Sequence, residues 1–167
     1  MAISTVLPVG GDAVSTASTQ TECVADILAR ELDATIHQWM GLVEKEPELT
    51  RIHLNYEERT GHLPLLLHDV IARLRLDKGS KAPASVAASR HGKLRRKQGY
   101  TVSMVVDESR FLQVSIFSTL DRNESRVEFS KLLPDVVIIA DEVDAQLKQQ
   151  VLCFLPGNDS EKEEARR

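Results

Sequence analysis

An all-α fold, a single bundle of about five to six helices, is what this sequence predicts, and three observations carry the prediction. Apolar residues recur at steps of three and four through most of residues 21–155. Proline, glycine and side-chain caps fall where those runs start and stop. With 167 residues, 42% hydrophobic and 28% charged, the chain can close one core but is short for two domains joined by a linker.

Residues 1–20 are rich in Gly, Ser, Thr and Ala, carry Asp12 as their one charge and show no apolar period, so a disordered leader is expected. Val24, Leu28, Leu32, Ile36, Trp39 and Val43 form one face of a first helix that starts after Thr21 and is stopped by Pro47. A second starts at Asn55, which can cap while Glu58 reaches back, and buries Leu63, Leu66, Leu67, Val70, Ile71 and Leu74. Pro64 lies inside that run and predicts a kink or an offset first turn; Lys78, Gly79 and Ser80 end it. The third helix runs from about Pro83 to Gly99. A fourth begins at Thr101 and turns Val105, Glu108, Leu112, Ser115 and Thr119 inward, with Met104, Phe111 and Ile116 beside them. The last follows Pro134 and shows Val136, Ile139, Val143, Leu147, Val151 and Phe154. Residues 156–167 read as a disordered charged tail. Val136 to Ile139, ahead of Asp141, also suits a buried strand ending at a phosphoacceptor, a receiver-like α/β reading that the helical period outweighs.

The net charge of −4 divides unevenly: −7 over residues 1–58, +8 over 59–100 and −5 over 101–167. A basic centre raises three partners: a nucleic acid, an acidic protein, or the acidic parts of the same fold. Cys23 and Cys153 read as ordinary buried thiols of a reducing compartment. Without a signal-like leader or a run of 18 to 20 apolar residues, a cytoplasmic address with no membrane contact is expected. The sequence holds no P-loop, no G-x-S-x-G elbow and no dinucleotide fingerprint, so no enzymatic activity and no cofactor are expected. Among the five histidines no pair stands at the i, i+4 spacing of a helical zinc site; His62 and His68 are six apart. No metal site is expected, and haem would need only one of them beside an apolar pocket.

The third helix has the least ordinary pattern. On a helical wheel Ala87, His91, Leu94 and Gln98 share the inward stripe with Arg95 at its edge, while Arg90, Lys93 and Lys97 lie opposite. A buried imidazole, carboxamide or guanidinium needs partners. Glu108, inward on the next helix, is the candidate acceptor, and a polar cluster of His91, Arg95, Gln98 and Glu108 is expected, joined by His62 and Arg59. Such a cluster either fixes helix register or forms a ligand or pH-sensing pocket, because an imidazole beside a carboxylate titrates near neutrality. The outer basic patch of Arg90, Lys93, Arg96 and Lys97 reads as a solvated face; only Tyr100 is near enough to stack on a base, which disfavours nucleic acid.

Two segments, Glu58-Arg59-x-x-His62-Leu63-Pro64 and His91-Gly92-x-x-Arg95-x-x-Gln98-Gly99-Tyr100, make residues 25–155 resemble the RsbRD N-terminal sensory domain, found at the front of stress-response co-antagonists and bacterial sensor histidine kinases. Glu108 matches the acidic position that follows and Trp39 an aromatic in the first helix; Ser109 and Gln113 stand where the family tends to place Tyr and Arg. The resemblance implies an all-helical sensory domain of bacterial signal transduction and adds Tyr100 to the cluster. It also implies a signalling partner such as a kinase or its regulator, with a homodimer as a further expectation. The family usually precedes a transmitter, whereas this sequence ends after its bundle, so a stand-alone domain is expected. A small transcriptional regulator binding DNA through residues 90–97 is the alternative.

Overall fold

Glu31 divides the first apolar stripe into two helices, α1 (Val24–Arg30) and α2 (Leu32–Val43), in the computed structural model, which describes residues 21–77, 79–80 and 82–156. The face is the expected one, with Val24, Leu28, Ile36, Trp39 and Val43 buried. Pro47 does not simply stop the run: its fixed φ opens a single-turn helix, α3 (Pro47–Thr50). Asn55 caps α4 (Tyr56–Thr60) as its sequence requires, accepting from the Glu58 amide at 2.8 Å while the Glu58 carboxylate accepts from the Asn55 amide at 2.9 Å. The chain then breaks at Gly61 and His62, and α5 (Leu63–Arg75) starts afresh with Pro64 in its first turn, where no amide proton is missed.

The third expected helix begins three residues later than Pro83. Ser85 accepts from the Ala88 amide at 3.0 Å and so fixes the start of α6 (Val86–Lys97). Gly99, at φ +82°, ends it in a Schellman turn: the Tyr100 amide donates to the Arg95 carbonyl and the Gly99 amide to that of Arg96. Thr101 caps the long α7 (Val102–Arg122), and a 3-10 turn (Glu124–Arg126) leads to α8 (Phe129–Phe154). This last helix starts five residues before Pro134, not after it; the proline ring is exposed in the second turn. Val136 to Ile139 is helical and the described residues contain no strand, only an isolated bridge between Glu22 and Val127, which overturns the receiver-like reading.

The helices pack as α2 on α7, α1 on α5, and α8 across α5, α6 and α7, around a core that includes Trp39, Leu66, Val70, Val105, Ile116 and Ile139. Cys23 is exposed and Cys153 half-buried, both as free thiols, so the expectation of two buried thiols fails for Cys23. No helix among the described residues is long and apolar enough to cross a membrane. The expected leader, residues 1–20, the tail from Gly157 onward and Lys78 lie outside the described residues.

Backbones of α6 and α8 meet at Gly92, where an added Cβ would stand 2.1 Å from the Gln150 carbonyl oxygen. Gly92→Ala should therefore force the helices apart and lower stability by about 1–3 kcal/mol. Gly41→Ala, with nothing within 4 Å of the new methyl, should instead raise it by about 0.5–1 kcal/mol through helix propensity. Urea unfolding of the two variants beside the parent checks both signs.

Candidate functional site

That close approach sets the phase of α6. Its buried face is Ala88, His91, Gly92 and Arg95, turned by about a quarter of a revolution from the stripe that included Ala87, Leu94 and Gln98. Small residues face α8 because two backbones meet there; Leu94 is pushed out to 40% exposure and Gln98 to half-burial. Arg95, expected at the edge, moves to the centre and is wholly buried.

The Arg95 guanidinium spends its donors on four acceptors. Nε meets Glu108 Oε2 at 2.9 Å, one terminal nitrogen meets Gln98 Oε1 at 2.7 Å and the Glu58 carbonyl at 3.1 Å, and the other meets the Arg59 carbonyl at 2.8 Å. Those carbonyls close the last turn of α4, left without helical partners by the break at Gly61. The Schellman turn folds Tyr100 back so that Arg95 stacks 4.7 Å from its ring centre and its hydroxyl donates to Glu108 Oε1 at 2.8 Å. Arg59 is buried as expected but does not reach Glu108. It donates to the Tyr100 hydroxyl at 2.9 Å and to the carbonyls of Ile52 and Leu49 at 2.5 and 3.3 Å, so the phenol relays between the two.

His91 Nε2 lies 3.2 Å from the same Glu108 Oε2, and the His62 ring stacks on His91 with centroids 3.7 Å apart and planes 16° from parallel. Trp39 meets His62 edge-on at 6.1 Å and donates from its indole nitrogen to the Glu108 carbonyl at 3.0 Å. The stack borders a cavity of about 10 Å³, also lined by Ser109, Leu112 and Gln150, which has room for one water molecule. Three buried atoms of these lining residues have no hydrogen-bond partner among the described residues: His62 Nδ1, His91 Nδ1 and Gln150 Oε1. His62 as a residue is half-buried, while its ring Nδ1 is sealed from solvent.

Burial lowers the pKa of His62 well below the imidazole range, with the charges of His91 and Arg95 adding to it. Burial also lowers His91, outweighing the hydrogen bond and charge of Glu108, which work the other way. For Glu108 burial pushes upward, but the His91 hydrogen bond and the Arg95 charge more than compensate and keep it ionised. Burial, then Glu108, raises the Tyr100 phenol. At neutral pH the set is therefore two neutral imidazoles, one carboxylate and two guanidinium ions.

His62, His91 and Glu108 each offer a ligand atom, and the three lie within 4.8 Å of one another. The geometry does not suit a shared metal. Imidazole lone pairs lie in the ring plane, so two rings stacked at 16° aim along nearly parallel planes, and Glu108 Oε2 is already engaged by Arg95. A cavity of this size admits no haem face either. What the arrangement can do is exchange a proton or a single small hydrogen-bond donor.

Of the outer patch, Arg90, Lys93 and Lys97 are exposed, whereas Arg96 is half-buried and donates to the Phe154 carbonyl at 3.3 Å. The wheel missed the polar ladder of α8. Glu142, Gln146 and Gln150 are buried at successive steps of four, and Gln146 donates to the Leu66 carbonyl and to Glu142 Oε1, both at 3.1 Å. The signal was present, since Gln146 falls about 20° from Ile139 around the helix.

Removing one member of the buried ion pair leaves the other unpaired, so Glu108→Gln should destabilise the protein by about 3–5 kcal/mol, read as the shift of a urea midpoint. The histidines give a second expectation. Their folded-state pKa values lie below the unfolded value of 6.5, so the unfolded chain binds more protons and stability falls as pH drops below about 6.5, by up to ~1.4 kcal/mol per pH unit for each ring. Unfolding midpoints measured between pH 7.5 and 5 test this, and His62→Gln should roughly halve the slope.

No family model, no curated protein and no solved structure matches the chain.

Proposed function

We propose that this chain is a non-enzymatic sensory or regulatory domain of bacterial signal transduction, of the RsbRD N-terminal kind, that acts through protein contacts with a kinase or its regulator. One observation carries the reading: a single buried cluster, with two neutral histidines next to an ionised carboxylate, touches α2, α4, α6 and α7 and borders α8 through Gln150. Protonating either ring adds a cation beside Arg95 in a sealed site, and packed helices answer such a change by moving, not by stretching. The described surface then reports an internal chemical state, which is what a sensory domain does. DNA binding through residues 90–97 has less support, because Arg96 is turned to α8 and Tyr100 is buried against Glu108, leaving that face without a stacking aromatic.

The purified chain, immobilised and offered purified sensor kinases and co-antagonists from the same cell at pH 7.5 and 4.5, should retain one of them with an affinity that changes by about tenfold between the two values. His62→Gln and His91→Gln should flatten that change. Retention of none at either pH overturns the reading, and a flat NMR titration of both rings from pH 4 to 8 removes the proton as its stimulus.

A further inference from the structure

A cavity of about 600 Å³ forms a cleft between α5, α8 and the start of α6, a volume in the range of small-molecule sites. Its walls include three of the large apolar side chains that the fold leaves in water: Leu65 at 51% exposure, Leu76 at 40% and Val86 at 64%. Its charged lining consists of Asp69, Arg73, Arg90 and Glu142, and these are not equally available. Asp69 is engaged, accepting from the Ser85 hydroxyl at 2.5 Å, and so is one Glu142 oxygen, which accepts from Gln146. The guanidinium groups of Arg73 and Arg90 make no hydrogen bond and no close ion pair among the described residues, and the charge of Arg73 acts on Glu142 from beyond contact distance.

We propose that this cleft binds a small amphipathic carboxylate, whose apolar body lies on Leu65, Leu76 and Val86 and whose head is held by Arg73 and Arg90. Guanidinium groups match a carboxylate in shape and charge, and the uncovered apolar wall accounts for the body. Burial raises the Glu142 carboxyl toward its neutral form, which a neighbouring anion favours further and an ammonium head would oppose. The cleft also has a route inward. Glu142, Gln146 and Gln150 occupy one face of α8, and Gln150 lines the cavity beside the stacked histidines. That the cleft is the input of the domain rests on the sensory reading; that it binds an anion does not.

Octanoate, octylamine and octanol, each added below its micelle-forming concentration to the full chain, test the proposal by amide and imidazole NMR. Octanoate should shift the amides of Leu65, Ala72 and Val86 saturably, and octylamine should not. Arg73→Gln combined with Arg90→Gln should weaken octanoate by at least about tenfold with the helical circular dichroism and thermal midpoint unchanged. No saturation with octanoate, or equal binding of octylamine or octanol, overturns the site. Saturable octanoate binding that leaves the His62 and His91 ring signals still upholds the cleft and overturns its role as the input of the sensory cluster.

Discussion

Arg95 and Glu108 are both buried, and most of what is unusual in this bundle follows from keeping them satisfied. An ion pair withdrawn from water holds only if the remaining lone pairs and protons find partners, because desolvation otherwise outweighs the attraction. Each partner fixes a piece of the fold. The carbonyls of Glu58 and Arg59 are available because α4 ends where it does; Tyr100 is available because Gly99 takes a positive φ; the Glu108 backbone is anchored by the Trp39 indole. The breaks between α4 and α5 and between α6 and α7 are thus not loose connections but the places where the ion pair is fed with donors and acceptors.

Stability alone does not explain such a cluster, since replacing a buried ion pair by well-packed apolar residues is often neutral or favourable. The histidine stack sharpens the point. Two aromatic hydrocarbon rings could stack in the same space without leaving Nδ1 atoms unpaired, at about 1–3 kcal/mol for each unsatisfied group. What apolar rings could not do is change charge inside the seal. The unpartnered Nδ1 atoms of His62 and His91 are the sealed positions where such a charge would be taken up.

The sequence showed the members of the cluster more clearly than their arrangement. His91, Arg95 and Gln98 stood out as polar groups among expected core positions, and Glu108 was the one acid on an otherwise inward stripe; all four are joined in the fold. The phase of α6 was hidden because periodicity weighs residues by hydrophobicity, and here backbone approach decides: Gly92 and Ala88 face α8 while the larger Leu94 is expelled. Arg59 lies inward as its motif suggests, but its side-chain acceptor is Tyr100, a pairing that depends on a turn no helical wheel represents. The ladder of Glu142, Gln146 and Gln150 escaped because the apolar neighbours Val136, Leu147 and Val151 drew the stripe toward themselves, although they are only half-buried.

That ladder bears on how the two cavities relate. Eight residues of helix separate Glu142 from Gln150, roughly 12 Å along the axis, and both face the same side of α8. Between them Gln146 ties α8 to the Leu66 carbonyl of α5, and at its far end the Gln150 carbonyl is pressed against Gly92 of α6. A helix held at those points has little freedom to bend between them. A displacement of α8 at the cleft would reach the Gly92 contact as translation or rotation of the whole segment, and His91, the residue before that contact, lies one turn of α6 from Arg95, which holds Glu108. A rigid element shared by the cleft and the histidine pair is therefore the physical connection that the proposed input would use, and it would need no chain of side-chain rearrangements.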